Sequence, residues 1–401
     1  MLDFDLAQSR LAHAGKPPHI TELCSLEQAH GRVLAQTLYA TLDLPPADNS
    51  AMDGYAIRHT DYAPQTSLPV QQRCYAGDAS QPLKPGHAIR LFTGSLMPEG
   101  ADTVVMQEDG DETESGVAIR VAPTPGAHVR KRAEDVRQGE QLFPKGTVLR
   151  AAELAVLASQ GYAELPVYAP LKVGILTTGD ELVAPGQPRG DAQIYNSNAT
   201  MLSGLVDRLG ASVVHVLHAA DTMDSLQSAF GALLDGCDLV LTVGGVSVGE
   251  KDLVKPAIEA AGGEMDLWRV RMKPGKPVAL AHARGKPIVC LPGNPVSAYA
   301  VFTLLVTPLM RTMQGRSDIL PAMHYGILAT SARFHETREE FLRVRGEPAP
   351  DGRIMLHPYP QQGSGIISSL PWASGLARIK ADTVVQDGDI VPYYDLAHWL
   401  S

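Results

Sequence analysis

Along the first part of the chain the apolar positions keep a helical rhythm. Leu6, Leu11 and Ala14 are spaced for one face of a short helix, and Ser25 with Gln28 has the form of a capping box for a second helix ending near Gly31. Residues 33–44 alternate loosely, as an extended arm does. Pro45-Pro46 breaks that pattern, and β-like runs such as 88–92 and 103–107, punctuated by Pro-Gly or Glu-Gly, continue to about 130. A charged stretch, 128–140, reads as a solvated face or linker. Residues 151–160 are helical and stop at Gly161. From 171 onward the pattern changes. Strand-like runs at 171–177, 212–217, 238–243, 278–281 and 287–291 alternate with helical ones at 198–209, 223–234, 253–261 and 296–313. Such alternation predicts a mostly parallel sheet covered by helices. After Gly315, alternating runs at 326–329, 341–345, 376–379 and 390–393 predict a small β-barrel or sandwich.

In an open α/β sheet, ligands sit at the carboxyl ends of the strands, and the polar residues of this chain gather there. Thr177-Thr178-Gly179-Asp180-Glu181 follows the first strand and Asp221 the second. The third runs into Gly244-Gly245, then Ser247, Gly249, Glu250, Lys251 and Asp252 before a helix. Backbone N–H groups in such a turn approach an anion closely, and the acids suit a cation beside it. The glycine spacing matches a phosphate-binding Walker loop, but Glu-Lys-Asp stands where Lys-Ser/Thr is required. A tight βα turn whose acids complement a helix dipole fits the same residues. The last strand ends in Leu-Pro292-Gly-Asn294-Pro295, with Asn294 placed as an N-cap. Arg269, Arg271, Lys273 and Lys276 make 268–277 the densest basic cluster of this region, stiffened by Pro274, Gly275 and Pro277, and suited to a phosphate or oxyanion.

Composition narrows the classes. At 401 residues, ~150 per domain suggests two to four domains. A net charge of −10 argues against nucleic acid and anionic membranes as partners, so an anionic substrate needs a local basic pocket or a bridging metal. The four scattered cysteines form no metal or disulfide pattern. Without a signal-peptide pattern, and with the apolar run 298–310 too short to span a bilayer, a cytoplasmic protein is expected.

Six motifs then occur in one order: Asn-Ser-Ala-Met-Asp-Gly-Tyr-Ala, Arg-Leu-Phe-Thr-Gly, Thr-Gly-Asp-Glu-Leu, Gly-Gly-Val-Ser-Val-Gly-Glu-Lys-Asp, Lys-Pro-Gly-Lys-Pro and Leu-Pro-Gly-Asn-Pro-Val-Ser. Together they resemble the MoeA-type molybdopterin molybdenumtransferases, the family of the gephyrin E domain, over essentially the whole chain. The resemblance implies an elongated N-terminal domain (1–44 with 131–170), a β-rich domain (45–130), a molybdopterin-binding α/β domain (171–318) and a C-terminal β-barrel (322–401). It implies a homodimer that inserts molybdenum from molybdate into adenylylated molybdopterin, releases AMP, uses Mg²⁺, and receives substrate from a molybdopterin adenylyltransferase. The positions it implies for catalysis are Asp53, Thr93, Asp135, Glu181, Asp221, Asp252 and Lys273; Lys276 joins them by its place in the Lys-Pro-Gly-Lys turn, and Asp221 and Asp252 are the candidates for the metal. In the dimer Asp53 and Thr93 would face the partner subunit. Substrate binding falls to Gly244, Gly245, Ser247, Gly249, Arg269, Pro292, Asn294, Arg343 and Ser364, with Arg345 as the alternative to Arg343 on the same strand face. Arg269 stands where relatives often carry Lys. Two other readings remain: adenylylation of molybdopterin, whose enzymes usually carry Gly-Gly-Thr-Gly at the glycine turn, and a non-enzymatic scaffold of the gephyrin kind.

Overall fold

In the computed structural model the chain forms two compact units, 37–144 with 152–163, and 1–36 with 145–151 and 164–401. It describes residues 1–245 and 253–401, and for 266–268 the backbone only.

The smaller unit is β-rich. Its largest sheet has the strand order Val70–Cys74, Ala88–Leu91, Gly54–Ile57, Thr103–Met106. Gly54 pairs with Leu91, which brings the turn before one strand beside the turn after the other.

The larger unit begins with α1 (Phe4–Ala14), which Asp3 caps by accepting the amide of Asp5 at 2.9 Å. Its central elements are β1 (Lys172–Thr178), α2 (Ser197–Arg208), β2 (Ser212–Ala219), α3 (Met223–Gly236), β3 (Leu239–Val243), α4 (Val254–Ala260), β4 (Glu264–Arg269), β5 (Pro277–Ala283), β6 (Lys286–Leu291) and α5 (Pro295–Met313). The sheet order is β2-β1-β3-β6-β5-β4, parallel through β6 and antiparallel beyond. Side chains alternate between its faces. Leu239, Leu241 and Val243 of β3, with Val289 and Leu291 of β6, join α1, α2 and α5 in one core. Val240, Ile288 and Cys290 join α3 and α4 in the other. Each large aliphatic side chain buried this way contributes ~1.5–3 kcal/mol. Burial on both faces is why these strands read as unbroken apolar runs.

Five strands close a barrel, Glu339–Pro348, Ile354–Pro358, His324–Leu328, Ile390–Asp395 and Gly375–Ile379, the last pairing back to the first. Leu342, Val344 and Leu356 fill it. Phe341 faces the other way and meets Phe4 of α1 with ring centroids 4.7 Å apart. Met272–Lys273 adds to this barrel as a short parallel strand along Glu339–Glu340.

Two expectations need correction, the second helix and the short apolar run, and two strands were not foreseen. Ser25 caps no second helix: Thr21–Ser25 is a strand paired with Glu164–Tyr168, and one 3-10 turn, Leu26–Gln28, follows. The strands β4 and Ile354–Pro358 were not anticipated, since their apolar residues are interrupted by charge or proline. The helix from 296 tolerates Pro308 because a π-type turn, Phe302–Val306, precedes it, with the Thr307 amide donating to the Phe302 carbonyl. The wider turn accommodates a residue that has no N–H and needs room for its ring. α5 is long and apolar enough to cross a membrane, but 89% of its apolar window is buried inside the protein, so it is a core helix.

Candidate functional site

At the carboxyl end of the parallel strands, β3 ends in Gly244-Gly245. Gly244 has φ +94°, and a Cβ there would lie 2.8 Å from the Thr178 carbonyl oxygen of β1. No side chain fits, so the two strand ends close up and leave bare backbone facing outward. Beside it β6 ends in Pro292-Gly293-Asn294, with Pro295 in the first turn of α5. Asn294 holds the N-cap position, yet its side chain does not cap. Its Nδ2 donates instead to Ser364 Oγ, 3.1 Å away in the barrel.

The basic bend from Lys273 to Lys276 forms the opposite wall. Gly275 has φ +107°, and a Cβ on it would lie 2.6 Å from Val301 Cγ2 of α5, so the backbone of the bend rests directly on that helix. The Lys273 ammonium bridges Glu336 and Glu340, the latter at 3.0 Å. Burial would lower its pKa, but hydrogen bonds to the two carboxylates outweigh burial and raise it. Lys276 is exposed, and its ammonium has no partner among the described residues.

These walls and the barrel enclose a cleft of about 510 Å³, lined by Gly244, Gly245, Lys273 to Pro277, Pro292 to Asn294, Ser297, Arg338 and Gln362 to Ser364. The structure thus brings together seven of the sequence-derived residues, Gly244, Gly245, Lys273, Lys276, Pro292, Asn294 and Ser364. Arg338, Gln362 and Ser297 were missed. Arg338 stands in a charged string just before the strand Glu339–Pro348, where nothing in the sequence separates it from its neighbours.

Arg343 is placed differently. It is 1% exposed, and its guanidinium donates to the carbonyls of Gln361 (3.1 Å), Gln362 (3.0 Å) and Gly363 (3.0 Å) and to Ser369 Oγ (3.0 Å). Burial pushes its pKa down. In this arrangement it is a strut beneath the 361–364 loop, not a lining residue. Arg345, on the same strand face, stacks on Trp372 with its guanidinium 4.8 Å from the ring centroid.

At the ends of β1 and β2, Thr178 Oγ1 donates to Asp221 Oδ1 at 2.5 Å, and the Asp221 amide donates to Asp180 Oδ1 at 3.3 Å. Asp221 is exposed and its Oδ2 has no partner among the described residues. The Glu181 carboxylate folds back over Gly179. Arg269 ends β4, paired with Pro277. Asp221, Glu181 and Arg269 do not line the cleft. Ser247, Gly249 and Asp252 lie outside the described residues, and among the described residues no group of three or more metal-binding side chains occurs. In the smaller unit, Asp53 Oδ1 accepts the Thr93 amide at 2.8 Å and its hydroxyl at 2.9 Å. These two bonds, the amide first, hold the Asp53 carboxyl below its ordinary pKa. The Asp135 amide donates to Leu44 at 3.0 Å and its side chain is exposed.

Family models match three stretches: the MoeA N-terminal region (domain I and II) at 2–161, a probable molybdopterin binding domain at 174–312, and the MoeA C-terminal region (domain IV) at 325–396. The chain is 38% identical to the molybdopterin molybdenumtransferase of Haemophilus influenzae, covering 92% of each chain. It is 39% identical to molybdopterin molybdenumtransferase 2 of Mycobacterium tuberculosis, covering 92% of this chain and 94% of that one. A crystal structure of the molybdopterin biosynthesis moeA protein from Pyrococcus horikoshii OT3 superposes with a TM-score of 0.83 at 28% identity, covering 98% of this chain and 99% of that one. On this similarity in sequence and architecture, the chain belongs to the MoeA family and is a molybdopterin molybdenumtransferase of molybdenum cofactor biosynthesis.

Proposed function

We propose that the chain transfers molybdenum from molybdate to adenylylated molybdopterin with release of AMP, and that the cleft between the glycine turn and the lysine bend is where the two anions meet. The observation that carries this reading is the convergence of Lys273, Lys276 and Arg338 on one cavity beside the bare backbone of Gly244-Gly245. Molybdate is a dianion and the pterin carries a diphosphate. Two unit charges ~4 Å apart repel by about 4 kcal/mol at an effective dielectric near 20, so the reactants need fixed cations to approach. Lys273, Lys276, Arg338 and Ser364 hold molybdate. Lys273 stabilises the charge that develops as the diphosphate breaks. The glycine turn and Asn294 receive the phosphate end, and Arg269 and Glu181 contribute to the pterin side. Arg343 acts through the loop it supports. No protein nucleophile is required: a molybdate oxygen or water attacks the phosphorus, the diphosphate P–O bond breaks to release AMP, and the dithiolene sulfurs take up the metal.

Asp221, with Asp252, is assigned to Mg²⁺. The donor set fits: Asp221 is an exposed carboxylate with one oxygen fixed by Thr178 and the other unpartnered among the described residues, and hard carboxylate oxygens with retained waters suit this ion. Bound there, Mg²⁺ would neutralise diphosphate charge. Asp53, Thr93, Ser247 and Gly249 belong to the proposal through the motifs that carry them, and Asp135 through the family resemblance. So do the homodimer, an adenylyltransferase donor, the cytoplasmic location and the division at 44, 130, 170 and 318. The test is AMP release from adenylylated molybdopterin with and without molybdate. Molybdate-dependent release supports the proposal. ATP consumption without it would favour adenylylation, and Asp252→Ala turning over at the wild-type rate would remove that residue from the site.

A further inference from the structure

Lys273 is the only cleft cation with two carboxylates on it among the described residues, and neither carboxylate lines the cleft. Glu340 lies in register with Lys273 across a parallel strand pairing, and its side chain is 6% exposed, so the sheet itself fixes it. Glu336 precedes that strand. Its backbone is held as well, because its carbonyl accepts the Asp382 amide at 2.8 Å and the Thr337 carbonyl accepts Arg271 Nε at 2.8 Å. Its side chain is 31% exposed, and the bond from Lys273 keeps its carboxyl below the ordinary pKa. An ammonium has three N–H donors. Two are engaged from outside the cleft, and one remains.

We propose that Glu336 and Glu340 are positioning residues, which grip the Lys273 ammonium from two sides so that its remaining N–H is presented to the reacting oxyanion in one orientation. The inference rests on the proposed role of the cleft and goes beyond it. A free lysine at the end of four rotatable bonds would bind an anion in many geometries. A gripped one binds it more weakly, since two negative charges stand behind it, but in a single pose. The pair therefore trades ground-state affinity for orientation, which is worth having where charge develops only as the bond breaks.

That trade has a signature that simple structural support lacks. In Glu336→Gln, the accessible member of the pair, molybdate should bind about threefold to fivefold more tightly, the scale of a partly exposed charge pair. Maximal AMP release should fall roughly tenfold to hundredfold, the scale of a misplaced group. Binding is read by calorimetry with molybdate, and turnover by AMP release, on the full chain. Glu336→Asp, which keeps the charge, should return the affinity to the wild-type value. Lys273→Met is the companion variant, expected to weaken molybdate binding and turnover together. With Lys273→Met impaired, a Glu336→Gln protein whose affinity and rate both fall or both stay unchanged overturns this inference alone. If Lys273→Met is itself unimpaired in both measurements, the cleft reading fails and this inference with it.

Discussion

Arg343 offers the sharpest test of ligand against strut. Replacing it with Met keeps an unbranched apolar stem and removes four hydrogen bonds, three to loop carbonyls and one to Ser369. Bonds from a charged donor contribute ~1.5–3 kcal/mol each, so the upper limit is about 6–12 kcal/mol. Two effects reduce it. The mutant no longer buries a guanidinium, whose cost is visible in the downward shift of its pKa. Gln361 and Gly363 are exposed residues, so water can replace the lost donors there. The side chain of Gln362 also keeps its bonds to the Arg343 amide and carbonyl and to the Tyr359 carbonyl. A net loss of about 2–4 kcal/mol remains. Hydrogen exchange of the 361–365 amides should accelerate more than that of the other barrel strands, the denaturant midpoint should fall, and molybdate affinity should drop with the displaced Ser364. Lys at 343 should not rescue, because it cannot reproduce the planar fork. The strut is refuted if Arg343→Met leaves loop exchange and midpoint unchanged, loses molybdate binding, and is rescued by Lys.

Lys276→Met should raise the molybdate KM about tenfold or more while leaving the melting temperature unchanged, because the ammonium is exposed and has no partner among the described residues to strand. Gly275→Ala places a methyl against Val301 at a φ that L residues rarely adopt; we expect a loss of roughly 2–4 kcal/mol in stability and reduced AMP release, checked by thermal unfolding and turnover. For Asp53, a folded pKa below the unfolded one means its contribution to stability is present above the unfolded value, near ~3.9, and is lost as pH falls through the folded value. Asp53→Asn should therefore have a lower unfolding midpoint than wild type at neutral pH, and the two should converge once the pH falls below the folded value; a gap that persists in acid would count against the carboxylate bonds as its source.

The α/β core was legible because its central strands β1, β3 and β6 are buried on both faces and α2 and α3 on one, which leaves unbroken runs and 3.6-residue stripes in the text. β4 was hidden because Glu264, Asp266 and Arg269 interrupt its apolar residues at the end of the sheet. The lysine bend was legible from local chemistry, since proline and glycine announce a stiff turn. Its carboxylate partners were not. Glu336 and Glu340 are distant in sequence from Lys273, and only the pairing of Met272–Lys273 with a barrel strand brings them together. The same limit explains Arg343 and Arg338. A strand arginine advertises charge, but whether it supports a loop or reaches an anion depends on which carbonyls the fold brings beneath it.

That short pairing makes the barrel more than an appendage. A fragment ending before residue 324 would leave Met272 and Lys273 as a raw edge, deprive the ammonium of both its anchors and uncover the aromatic surface that Phe341 and Tyr394 share with Phe4. Chemistry and scaffolding cannot then be pared apart by truncation. Any shortened version that kept the sheet but shed the barrel would be expected to precipitate before it failed to turn over.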